Sequence, residues 1–330
     1  MPSSLSNELA LLLIPCSQKA KFILATVIFN GLSQMKKRTW IRCASLAVLS
    51  IAFLTIVISV GVGYILSLPA KAKIGKAPAD FSAEAIQIKS GSGNVLSAWF
   101  VPGTLRGGAV LLLHGVRGNR LSMLDRARFL KSAGYALLLL DLSAHGESEG
   151  GQISFGGFES LDVVAAVQYL RERLRDAKIG VIGVSLGGVS LILATGKTQV
   201  DAIVIESVYP TFEDAVVDRL TMRLGPLGPV FAPLLTMQLK PRLGLSLNDL
   251  RPIDKIHDIK APIFVLAGTN DLHTKLIEAQ SLFAAANEPK EFWAVDGAAH
   301  VDLHHFAPRE YERKVLRFLQ RHLGENTGAN

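Results

Sequence analysis

The chain has 330 residues, about half of them apolar, with 35 Lys and Arg against 28 Asp and Glu and only two cysteines. That length supports one large domain with appendages. Both cysteines, Cys16 and Cys43, fall in or before a long apolar stretch, so the remainder has no thiol for a disulfide or a metal site. Most of the net positive charge comes from residues 1–42, where Lys19, Lys21, Lys36, Lys37, Arg38 and Arg42 face Glu8 alone. Basic residues stacked beside an apolar segment mark membrane topology and argue against nucleic acid as a partner.

From Cys43 to Leu68 no residue is charged. As helix this stretch would measure about 39 Å, more than the roughly 30 Å hydrocarbon core of a bilayer. A cleaved signal peptide is the competing reading, because Ala70-Lys71-Ala72 offers an A-x-A site, but signal h-regions run to only about 7–15 residues. An uncleaved single-pass anchor at 43–68 is therefore expected. The basic leader 1–42 precedes it, and the Met35-Lys36-Lys37-Arg38 start suggests that residues 1–34 are an upstream extension. Segment 8–29 is apolar but broken by Pro15, Lys19 and Lys21, and does not count as a second span. The cations before the anchor outnumber Lys71, Lys73 and Lys76 after it, which places the rest of the chain outside the cytoplasm.

After a Lys/Pro/Ala linker at 69–81, two strands, Ala85–Ser90 and Val95–Val101, flank hairpin chemistry at Gly91-Ser92-Gly93-Asn94. Short apolar runs follow at Ala109–Leu113, Ala136–Leu140, Ile179–Gly183, Ala202–Ile205, Ile263–Ala267 and Phe292–Val295, as buried parallel strands require. Between them, residues 121–133, 158–175, 187–195, 274–286 and 308–323 carry apolar side chains at helical spacing. This alternation predicts a doubly wound, mostly parallel α/β sheet over 82–323, with a disordered tail at 324–330. Residues 208–255 exceed what a crossover needs, so a helical cap is expected there. Within them, Leu224–Leu239 carries no charge, and Pro226, Pro229 and Pro233 argue against a continuous helix. Its apolar residues either pack inward or roof a pocket and touch a bilayer.

Val181-Ile182-Gly183-Val184-Ser185-Leu186-Gly187-Gly188 reads as a strand running into a glycine-flanked serine, the G-x-S-x-G elbow. Alone that pattern is weak, since chance matches are common in a chain so rich in glycine and serine. The segments that follow supply what a serine nucleophile needs, in the order acid then histidine. Asp271 follows a strand in Gly268-Thr269-Asn270-Asp271, and His300 ends Asp296-Gly297-Ala298-Ala299-His300. Glu206, at the end of the strand after the elbow, is the alternative acid. His304 and His305 compete with His300 but are expected to open the next helix or face solvent, and His114 and His145 to organise loops. The backbone N–H groups of Val116 and Leu186 are the expected oxyanion donors. No metal spacing and no nucleotide-binding G-x-G-x-x-G follow from the sequence, so neither a metal nor a cofactor is implied.

With these motifs the chain resembles the α/β-hydrolase superfamily, most closely the Bem46/serine-aminopeptidase-like branch, over about residues 82–323. His114-Gly115-Val116, the elbow, Gly268-Thr269-Asn270-Asp271 and Gly297-Ala298-Ala299-His300 carry the resemblance. A further loop, Asp141-Leu142-Ser143-Ala144-His145-Gly146-Glu147-Ser148-Glu149-Gly150, is similar to the family's D-x-R-G-H-G-x-S-x-G, with Ser143 and Ala144 in place of Arg and Gly. The resemblance implies a membrane-anchored serine hydrolase acting on a small-molecule or lipid-like acyl ester through Ser185, His300 and Asp271. A peptidase, amidase or thioesterase of the same fold is the alternative, and a membrane-tethered binding protein without catalysis is the alternative of another class.

Overall fold

A computed structural model describes residues 16–104 and 108–324. The first fifteen residues and the expected tail beyond Gly324 lie outside the described residues. The chain divides into two compact units, Met1–Ser59 and Val60–Asn330.

The first unit is the body of one helix, α1, Cys16–Ser67, of 52 residues. It takes in most of the basic leader as well as the apolar stretch. Charge patterning therefore marks where a bilayer reading begins, not where the helix begins. At its other end Pro69 disfavours helical backbone at the residue before it, and the helix stops at Ser67. Within α1, Lys36–Ser67 is long and apolar enough to cross a membrane, and most of its side chains are exposed, with Ser67 buried.

The second unit is built on an eight-stranded sheet: β1 Glu84–Lys89, β2 Val95–Val101, β3 Gly108–Leu113, β4 Ala136–Leu140, β5 Lys178–Val184, β6 Ala202–Glu206, β7 Ile263–Gly268 and β8 Lys290–Val295. The strands lie in the order β8-β7-β6-β5-β3-β4-β2-β1. The β1–β2 and β2–β4 pairings are antiparallel and every other pairing is parallel. In β3, Ala109, Leu111 and Leu113 face one core cluster while Val110 and Leu112 face the other. Burial on both faces is why these strands read as unbroken apolar runs.

Helices α2 Leu124–Ser132 and α10 Pro308–Leu323 cover one face through Ala127, Leu130, Tyr311, Val315, Phe318 and Leu319. On the other face lie α3 Glu159–Arg173, α4 Leu186–Leu193 and α8 Leu276–Ala285. Each fully buried Leu or Phe contributes about 1.5–3 kcal/mol, and truncating one to Ala costs about 2–5 kcal/mol.

The cap lies between β6 and β7. Helix α5, Phe212–Leu224, starts at Thr211, whose hydroxyl accepts from the Asp214 N–H at 3.0 Å. A 3-10 turn, Gly225–Leu227, leads into α6, Gly228–Thr236, and then α7, Leu239–Leu243. The prolines thus break the run without abolishing helix. Pro229 occupies the first turn, where an N–H has no helical partner anyway, and only Pro233 removes an interior bond, with α6 continuing past it to Thr236. Inward packing also fails for part of this segment, since Leu227, Val230 and Met237 are 55%, 67% and 73% exposed.

The linker is partly structured. Ala70–Lys71 pairs in parallel with His145–Gly146, and the Ile74 and Gly75 N–H groups donate to Glu147 Oε1 at 3.0 and 2.9 Å.

Candidate active site

The parallel pairing brings the ends of β3, β5, β6, β7 and β8 to one edge of the sheet. Strand β5 runs straight into Ser185, held at φ 48 and ψ −109, and α4 starts one residue later. A non-glycine residue in this region is strained. The turn is tight enough to exclude neighbours: a Cβ on Gly183 would stand 2.6 Å from the Gly188 nitrogen, and one on Gly187 2.5 Å from the Leu113 carbonyl oxygen. The Ser185 N–H donates to the Glu206 carbonyl at 2.8 Å, which ties the turn to β6.

The loop after β3 lies against this serine. A Cβ on Gly115 would sit 3.6 Å from Ser185 Cβ. His114 underlies the loop: its Nδ1 donates to the Gly115 carbonyl at 2.8 Å and its Nε2 accepts from the Leu142 N–H at 3.1 Å. Burial, with His145 alongside, pushes the His114 imidazole down to about 3, so it stays neutral. The N–H groups of Val116 and Leu186 have no hydrogen-bond partner among the described residues. Leu186 is the first residue of α4, where a free N–H and the helix dipole favour negative charge.

Asp271 and His300 are brought together, with His300 Nδ1 2.7 Å from Asp271 Oδ2. The other carboxylate oxygen accepts from the N–H groups of His273 and Thr274 at 2.8 and 2.9 Å. Burial alone would raise this carboxyl, but the bond and charge of His300 and the two amides outweigh it and hold Asp271 below the usual carboxylate range. With Nδ1 turned to Asp271, the ring leaves Nε2 free for another partner. The Ser185 hydroxyl makes no hydrogen bond to a described residue, so a serine–histidine bond is not formed in this arrangement.

Glu206 is committed elsewhere. Its carboxylate takes two bonds from Arg126, at 2.7 and 3.0 Å, and one from the Tyr311 hydroxyl, all buried. No hydrogen bond joins it to His300 among the described residues, so the geometry favours Asp271 over Glu206, the alternative acid. Arg126 also reaches Asp302 at 2.8 Å, which places that carboxylate off the histidine. His304 is buried against Phe129 and Tyr311 and bonded to Glu312 at 3.0 Å, while His305 is exposed; both lie in the short helix α9, Leu303–Phe306.

Ser143, where the family motif has arginine, is turned to Asp162 of α3. Its N–H and hydroxyl both bond Asp162, at 2.7 and 2.9 Å, so an arginine at this position would be aimed at the same carboxylate. Ala144 stands in for the glycine at φ 64.

Sequence reasoning did not single out His273. Its ring packs against His300 with centroids 5.1 Å apart, and its backbone carbonyl accepts from Arg219 Nη1 of the cap at 3.4 Å. Burial, followed by the nearby His300 and Arg219, pushes the His273 imidazole down, so it is a neutral neighbour of the proposed base. Its position two residues after Asp271, in a loop whose amides fold back on that carboxylate, is the signal that was available.

The fold and site edge together define an α/β hydrolase. A model of the alpha/beta hydrolase family matches residues 110–314, and the chain belongs to that family. Among related proteins, uncharacterized YqkD of Bacillus subtilis is 24% identical over 215 residues, 64% of this chain and 70% of that protein. The alpha/beta hydrolase domain-containing protein WAV2 of Arabidopsis thaliana is 25% identical over 257 residues, 73% of this chain and 80% of that one. Among solved structures, the Pyrococcus furiosus esterase Pf2001 is 27% identical, covers 78% of this chain and 100% of its own, and superposes with a TM-score of 0.63.

Proposed function

We propose that the chain is a membrane-anchored serine hydrolase that cleaves carboxylic esters through Ser185, His300 and Asp271. The Asp271–His300 bond carries this reading, because it fixes a histidine tautomer with Nε2 as the free base at the edge where Ser185 sits on its strained turn. His300 accepts the Ser185 proton as the hydroxyl oxygen attacks the ester carbonyl carbon, and Asp271 stabilises the imidazolium so formed. The Val116 and Leu186 amides receive the oxyanion. Collapse expels the alcohol, which takes the proton from His300. Water then attacks the acyl-enzyme by the same route and releases the acid. The likeness to an esterase ranks ester above amide or thioester.

The test is covalent labelling of the full-length protein with a fluorophosphonate. Wild type should label and Ser185→Ala should not, with ester turnover reduced on the order of 10⁴–10⁶-fold. Undiminished labelling of the Ser185→Ala protein would overturn the assignment, and a wild type that never labels would leave the non-catalytic alternative.

A further inference from the structure

We propose that the outer face of the cap is a lipid-contacting surface, so that the enzyme takes its ester from the bilayer rather than from bulk water. This rests on the anchored reading above. Leu224, Leu227, Val230 and Met237 are 44%, 55%, 67% and 73% exposed, along a stretch where Pro226, Pro229 and Pro233 are exposed too. An apolar face this extended on a soluble surface is unusual and marks something that covers it.

The turns beside it identify the cover. Residues 60–67, the last two turns of α1, belong to the same compact unit as the cap and seat directly on it. Arg242 of α7 donates to the Val60 carbonyl at 2.6 Å and lies 5.7 Å over the Tyr64 ring. The Gly63 backbone abuts the Gln238 side chain so closely that a Cβ there would collide with it. Leu66 and Ser67 share a narrow apolar crevice with Leu235 and Leu239. Val60, Tyr64, Ile65 and Leu66 are themselves 47%, 53%, 59% and 44% exposed. Gln238 follows Met237 directly, so the exposed cap stretch begins one residue from the contact with α1.

Charge agrees with this cover. From Arg219 to Asn248 the chain carries Arg219, Arg223, Lys240 and Arg242 and no Asp or Glu. Of these, Arg223 and Lys240 are exposed on either side of the apolar stretch, the pattern of an interfacial segment facing anionic lipid. Tyr64 stands where aromatic rings collect, at the boundary of the hydrocarbon.

The test uses the full-length protein in a Cys16→Ala, Cys43→Ala background, reconstituted in phosphatidylcholine vesicles with and without phosphatidylglycerol. A nitrobenzoxadiazole label on Met237→Cys should emit blue-shifted and be quenched by lipids spin-labelled near the headgroup, more so with phosphatidylglycerol. The same label on Glu172→Cys, exposed on α3, should behave as in water. A water-like, unquenched Met237 label in protein that resists carbonate extraction would overturn the cap proposal alone, and protein lost to the wash would overturn the anchored reading. A blue shift that lipid quenchers do not touch and that dilution abolishes would assign the face to a second copy of the chain. As a functional check, Val230→Asp with Met237→Asp should lower the ratio of turnover on a vesicle-embedded long-chain ester to turnover on a soluble acetate ester by about 10-fold or more. An unchanged ratio would overturn the proposal.

Discussion

Asp162, on α3, is enclosed by hydroxyls and an amide where a cation would ordinarily stand. Burial pushes its carboxyl up to about 7, against the pull of the Ser90 and Ser143 bonds. The folded chain therefore holds a proton that the unfolded chain gives up near pH 4, and stability falls as pH rises from about 4 through about 7. The loss is at most about 4 kcal/mol, from three pH units at 1.36 kcal/mol each. Asp162→Asn should flatten the dependence of Tm on pH between 5 and 7.5, measured by thermal melts in detergent; equal slopes for both proteins would exonerate this residue. A second comparison separates acid from scaffold. Asp271→Asn should lower kcat by orders of magnitude with little change in Tm. Glu206→Gln, by contrast, should lower Tm strongly, since breaking a buried pair costs about 3–5 kcal/mol. The sequence left these two carboxylates open because both follow strands, and what separates them is Arg126, eighty positions away in sequence. His300 was legible beside a small-residue turn, whereas His273 was not, because its importance lies in a ring contact.

At the scale of elements, the elbow depends on two missing side chains. Gly187→Ala should abolish labelling by displacing either α4 or the end of β3, as its Cβ would meet the Leu113 backbone. Gly151→Ala, where a Cβ meets nothing within 4 Å, should leave labelling intact. Retained labelling in the Gly187 variant would show that the turn relaxes more readily than this packing implies. Strands of the sheet were legible to within two residues and its helices to within three, because two-sided burial makes each strand a continuous apolar run. The cap was harder. Its prolines lie where a helix tolerates them, and a rule about helix interiors does not see that.

For the whole molecule, the proposed anchor predicts that full-length protein stays with membranes through a high-pH carbonate wash, and that protease added outside reaches the catalytic unit. Release by carbonate would sink the anchor, and a mature N-terminus just after Ala72 would show cleavage instead. Deleting residues 1–74 should also lower Tm, since it removes the Ala70–Lys71 pairing with His145–Gly146 and the Ser67 carbonyl that accepts from the Ile153 N–H at 2.9 Å. A fragment starting near Ile74 that melts like the full chain would show that those contacts contribute nothing.

That stitched linker carries a consequence for how the enzyme meets its substrate. A loose leash of about a dozen residues would let a domain roam some 20 Å from its tether and collide with molecules arriving from any side. Here Ser67, Ala70, Ala72, Ile74 and Gly75 are each hydrogen-bonded to Ile153 or to the 141–150 loop within the catalytic unit. On the anchored reading, encounters become two-dimensional: rate should follow the mole fraction of ester in the membrane, stay insensitive to dilution of the vesicles, and drop when a flexible spacer is inserted between Ser67 and Ala70.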